Sequence, residues 1–140
     1  MKKTALLVVV LGVVTAVLGW RFLAPGDGEH SAHAGTALAE VRVPTLSAVA
    51  TAGKGFFDAN CATCHGQNGA GVDGAGPPLV HIIYEPNHHA DIAFYMAVKQ
   101  GVRAHHWRFG DMPPVKGVSE GETTKIIAYI RELQRANGIN

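Results

Sequence analysis

Cys61-Ala62-Thr63-Cys64-His65 holds the only two cysteines of the 140-residue chain, three positions apart, with an imidazole directly behind the second. Thiols at this spacing add across the two vinyl groups of a porphyrin. A histidine that follows at once ligates the iron from one face, so the pentapeptide reads as a c-type haem attachment site. The other chemistries open to a thiol pair are a disulfide, a zinc half-site and a redox dithiol, and each lacks something it needs. A zinc site wants four ligands and usually a second Cys/His pair at similar spacing, and a redox dithiol follows a strand in a βαβ pattern. Neither context is present.

A second axial ligand is offered by Gly110-Asp111-Met112-Pro113-Pro114. A thioether is a soft, neutral donor, and a methionine in a proline-stiffened loop can be presented to iron without unfolding a helix. Met112 lies 47 residues after His65. Of the other methionines, Met1 precedes a long apolar run and Met96 falls on a predicted helix, where it reads as core. The chain has eight histidines, five of them between His81 and His106. Adjacent pairs such as His88-His89 and His105-His106 do not face the same way on regular structure. Surface imidazoles or bonds to haem propionates are the plain reading of this group, and a second metal site or a histidine sixth ligand is the sharper one. Arg103, His105, Trp107 and Arg108 stand just before Met112, where one or more of them could donate to a propionate, and spacing alone does not say which.

Three helices are predicted to position these residues. From Ser47 to Asn60 the apolar residues Val49, Ala52, Phe56 and Phe57 recur near helical spacing and run into the thiol motif. Gly53 and Phe57 stand eight and four residues before Cys61, on one stripe, and a mid-helix glycine marks a close approach by another element. The approaching element is the last helix. Ser119-Glu120-Gly121-Glu122 forms a capping box and Asn137-Gly138 a stop, with Ile126, Tyr129, Ile130 and Leu133 on one buried face between them. A middle helix is predicted over Asn87 to Gln100, capped by Asn87 or Asp91 and ended by Gly101. The glycine-rich loop Gly66 to Gly76 would let backbone pass close to a haem edge.

The chain opens with Lys2-Lys3, an apolar run from Thr4 to Trp20, and Arg21. Thr4 to Leu23 as a helix would span about 30 Å, the thickness of a bilayer core, and residues 1–24 are read as a signal anchor. A cleaved signal ending near Ala32-His33-Ala34 is the alternative, and both readings export the rest of the chain. Lys2 and Lys3 place the N-terminus inside. Residues 25–46 show no sustained period and read as a flexible tether, with His30 and His33 as solvated residues, and residues 47–140 as one domain. Twelve basic residues against eleven acidic give no nucleic-acid footprint.

From about Ser47 to Asn137 the chain resembles a class I cytochrome c. The resemblance rests on the thiol motif, on Met112 before proline, and on the Gly53/Phe57 and Ile126/Tyr129 pairs, which match the crossing of first and last helices in that family. It implies an all-α fold of about three main helices with loops wrapped around one covalently attached haem c, its iron held by His65 and Met112. It also implies that the carbonyl of Pro77, in Gly76-Pro77-Pro78-Leu79, accepts the imidazole N–H and that Leu79 packs against the macrocycle. The implied function is a non-enzymatic carrier of single electrons between redox protein donors and acceptors. Haem attachment machinery acts during maturation, and bacterial relatives suggest the periplasmic side of the inner membrane. An electron-entry subunit of a larger oxidase or dehydrogenase is the alternative. A haem enzyme or gas sensor with a labile sixth ligand is a further one. The run Arg103-Ala104-His105-His106-Trp107 is not predicted by the ordinary family pattern.

Overall fold

A computed structural model describes residues 35–140, and the proposed anchor, the cleavage site and His30 and His33 lie outside the described residues. Among the described residues no helix is long and apolar enough to cross a membrane. The domain is all-α: α1 (Ala48–Asn60), a single turn α2 (Ala62–His65), α3 (Asp91–Gln100) and α4 (Glu120–Ala136), with short 3-10 turns at Gln67–Gly69 and Ile82–Tyr84.

α1 begins where the Ser47 hydroxyl accepts from the Ala50 N–H at 3.2 Å, which satisfies one orphan donor of the first turn. The same hydroxyl donates to Glu132 on α4 at 2.7 Å, and the Ser47 N–H adds a second bond at 3.0 Å. These bonds hold the Glu132 carboxyl below its ordinary pKa. The buried stripe of α1 is Ala50, Gly53 and Phe57. This corrects the expected face in part: Val49 is 52% exposed and Ala52 is exposed, one position off the stripe that meets α4.

α4 starts and stops as expected. Ser119 and Glu122 form the reciprocal capping box, Asn137 caps the C-terminus, and Gly138 turns away with φ 79°. Its buried face carries Ile126, Tyr129, Ile130 and Leu133, which join Ala50, Phe57, Leu79 and Val80 in one core. The crossing with α1 is tight because Gly53 has no side chain. A Cβ there would fall on the Lys125 carbonyl oxygen and lie 3.1 Å from the Ile126 nitrogen. One turn on, the Phe57 and Tyr129 rings meet edge to face at 5.5 Å, a favoured arrangement of their quadrupoles.

α3 is shorter than expected. Asn87 lies in a turn, Ala90 is the N-cap without a side-chain bond, and Asp91 opens the first turn. Asp91 accepts from Arg131 Nε at 2.8 Å. Arg131 is 7% exposed and also donates to the carbonyls of Tyr84 at 2.7 Å and His89 at 2.5 Å and to Gln134 Oε1 at 2.6 Å, with its guanidinium 5.0 Å from the centre of the Phe94 ring. One buried cation therefore pins the turn before α3 to α4. Replacing it with methionine strands several acceptors, and we expect a loss of about 2–4 kcal/mol. Asp91→Asn should cost below about 1 kcal/mol, because that carboxylate is 62% exposed. Denaturant midpoints of the two variants check the contrast, and equal losses would contradict it.

The stretch read as a tether is ordered against the domain in its second half. The N–H groups of Leu38 and Ala39 both donate to the Ala70 carbonyl, at 3.1 and 2.9 Å. The Arg42 guanidinium and backbone bond to Ala136 and Asn137, and Val41 and Leu46 pack against the core. Backbone pairing with loops far along the chain leaves no periodic signature, and so this contact was not visible in residue order.

Candidate functional site

A cavity of about 360 Å³ opens between α1, α3, α4 and the loops. Phe57, Leu79, Ile126, Ile127 and Ile130 supply apolar walls. Cys61, His65 and Met112 all line it, so residues from both ends of the chemistry read in the sequence face one space.

Their placement follows from local structure. At Cys61 the backbone leaves α1 (φ −122°, ψ −33°), and its N–H still reaches the Phe57 carbonyl at 2.8 Å. α2 then turns once and ends at His65, which is 9% exposed. Both thiols are free, Cys61 half-buried and Cys64 exposed. Burial, with the neighbouring Cys64, pushes the Cys61 thiol up to about 11, so at neutral pH it is held as the thiol. Gly76 lies directly on this motif, where a Cβ would come 2.6 Å from the Cys64 carbonyl oxygen. The glycine of this loop thus accommodates the attachment segment itself.

His65 Nδ1 lies 2.9 Å from the Pro77 carbonyl oxygen. A carbonyl only accepts, so Nδ1 carries the proton and Nε2 the lone pair. Burial lowers the His65 pKa against the opposing pull of that carbonyl, which favours the neutral ring a metal requires. Pro77 and Leu79 both line the cavity, and Leu79 is 8% exposed.

Met112 is held by its own backbone. Its N–H donates to Val102 and its carbonyl accepts from Val102, both at 2.9 Å, which closes the intervening residues into a lobe at the end of α3. The Ala104 N–H, bonded to the Asp111 carboxylate at 2.9 Å, braces that lobe. Two findings differ from expectation. Met96 is not core: it is 43% exposed and lines the same cavity, because no residue of α3 is buried and the helix serves as one wall of the opening. The paired histidines share a face, because residues 85–89 and 103–109 lie outside helix and strand, in irregular backbone to which alternation does not apply. The rings of His88 and His89 stack at 4.8 Å, and those of His105 and His106 lie 4.3 Å apart.

The donor set fits a haem. Beyond the thiols and the Nε2 of His65, the cavity lining includes Trp107, whose Nε1 is buried with no hydrogen-bond partner among the described residues. The hydroxyl of Tyr84 is close enough for the indole N–H to oppose the pKa rise caused by burial, yet outside bonding geometry. An orphan donor at an apolar cavity suits an anionic group such as a propionate. The sequence marks Trp107 as a candidate propionate donor, whereas Tyr84 and Phe94 are invisible there as cavity residues, since isolated aromatics carry no spacing signal.

The family model described as cytochrome c matches residues 50–134. The chain belongs to the cytochrome c family. It binds one covalently attached haem c, an iron porphyrin, for which Cys61 and Cys64 fit the attachment pattern, and it is a haem-binding electron carrier. No curated protein and no solved structure matches this cytochrome.

Proposed function

We propose that this cytochrome carries single electrons between protein redox partners on the periplasmic face of a bacterial inner membrane, and that His65 and Met112 would hold its haem iron. The observation that supports it is the meeting of a neutral imidazole with a free Nε2 and a thioether fixed by a backbone bridge in one cavity. When bound, the haem supplies reversible one-electron chemistry at iron. The chain's own residues do the rest. Cys61 and Cys64 attach the group, the Pro77 carbonyl orients His65 and raises its basicity, and Leu79 and the isoleucines of α4 exclude water. The Trp107 N–H, buried without a partner among the described residues, would donate to a propionate. Residues 1–24 anchor the chain, residues 25–46 connect it to the domain at 47–140, and attachment machinery in the periplasm receives it with reduced thiols.

Were His65 and Met112 both to hold the iron, the reduced protein should leave carbon monoxide unbound, and the oxidised protein should show a low-spin spectrum with a methionine-to-iron charge-transfer band. The competing reading is a gas sensor or haem enzyme, favoured by the imidazoles of His105 and His106 on the cavity lining. Stoichiometric carbon monoxide binding by the reduced protein would decide for that reading and against ours. Whether the carrier serves as the entry subunit of a larger oxidase or dehydrogenase is read by what co-purifies with the full chain.

A further inference from the structure

Four histidines from two separate segments gather together, and three of them, His89, His105 and His106, line the cavity. His88 and His89 come from the turn before α3, and His105 and His106 from the lobe that ends at Met112. The rings of His88 and His106 lie 5.1 Å apart and those of His89 and His106 5.3 Å apart. Ring nitrogens of His88, His89 and His106 all fall within 4.8 Å of one another. We infer that His88, His89 and His106 form a binding site for a borderline divalent transition metal, Zn²⁺ or Cu²⁺, separate from the haem iron.

The chemistry of the donors sets the class of ion. Three imidazoles without a carboxylate suit zinc and copper, whereas calcium and magnesium require oxygen ligands. Bonds of about 2.0–2.1 Å to a tetrahedral centre place ligand nitrogens about 3.3 Å apart, so the rings must close by up to about 1.5 Å. His88 and His106 are exposed and free to make that movement, while His89 is half-buried and fixed.

His89 is also oriented in the way that metal-bound imidazoles are. Its Nδ1 lies 2.6 Å from the Ile83 carbonyl, which must accept, and Nε2 is left with the lone pair. Its own carbonyl is held by the buried Arg131. His105 repeats the arrangement, with Nδ1 2.8 Å from the Arg103 carbonyl, and it is the nearest fourth donor. Without a cation in their midst, such rings gain little from standing together.

A bound ion would join the turn at 85–89 to the lobe carrying Met112, two segments bridged here by side chains alone. The test uses the full-length holoprotein stripped with a chelator and titrated with Zn²⁺ alone, and with Cu²⁺ followed by electron paramagnetic resonance. One equivalent of Zn²⁺ should bind, and the copper spectrum should show hyperfine splitting from several nitrogens. The double variant His88→Asn/His106→Asn alters two exposed side chains, and an unchanged far-ultraviolet circular dichroism spectrum certifies its fold. It should lose at least 100-fold in zinc affinity, whereas His30→Asn/His33→Asn should stay within twofold of the parent. Absence of stoichiometric binding, full affinity in the first variant, or loss of affinity in the second would each overturn the assignment.

Discussion

Gly53→Ala should destabilise the holoprotein by about 3 kcal/mol or more, at the upper end of what overpacking costs, because the added methyl meets backbone and not a movable side chain. The crossing of α1 and α4 forms the back wall of the cavity through Phe57, Ile126 and Ile130, so a methyl that pries it apart also loosens the grip on the haem. Gly55 provides the internal control. It lies on the same helix, is exposed, and has nothing within 4 Å of a hypothetical Cβ. Alanine there removes only the entropic penalty of glycine and should stabilise by about 0.5–1 kcal/mol. Two glycines in neighbouring positions thus give effects of opposite sign. Guanidinium midpoints for the pair check this, and a Gly53→Ala protein as stable as its parent would refute the close crossing.

Met112→Ala should abolish the charge-transfer band and lower the reduction potential. The fall expected is on the order of 0.1 V or more, within the range of about 0.8 V over which axial ligands set haem potentials. A thioether favours the ferrous state, and its loss opens a coordination position that carbon monoxide can then take in the reduced protein. Met96 makes the experiment sharper, since it lines the same cavity and is the only other methionine among the described residues. Met96→Leu keeps its volume and should leave the band in place. A band that survives in Met112→Ala and disappears in Met96→Leu would transfer the ligand role to α3.

The elements legible in residue order are those whose signals are local. The capping box at Ser119, the stop at Asn137-Gly138 and the thiol spacing at Cys61 to His65 each depend on a few neighbouring residues, and the first two stand in the structure as read. Gly53 was legible as a close approach because a glycine inside a helix is costly without one. The misreadings arose where tertiary surroundings decide. Met96 has helical spacing that suits a core, but α3 is a wall around a space, so its apolar face looks into the cavity. The histidine pairs were read as if on regular structure, and turn backbone lets neighbouring rings stack. Residues 36–46, poor in periodicity, are held by hydrogen bonds to the Ala70 carbonyl and to the end of α4, partners that no local pattern announces.

The wall behind Cys61 and His65 joins the two extremes of the domain in sequence, with Gly53 and Phe57 of α1 seated on Ile126 and Tyr129 of α4. Contacts of such separation form late, since a long stretch of chain must be closed before they contribute. A nascent polypeptide emerging N-terminus first therefore presents its thiols in an open segment until nearly all of it has been delivered. That interval leaves time for a lipophilic pigment to be fastened to the two sulfurs before docking of the final helix shuts the compartment around it.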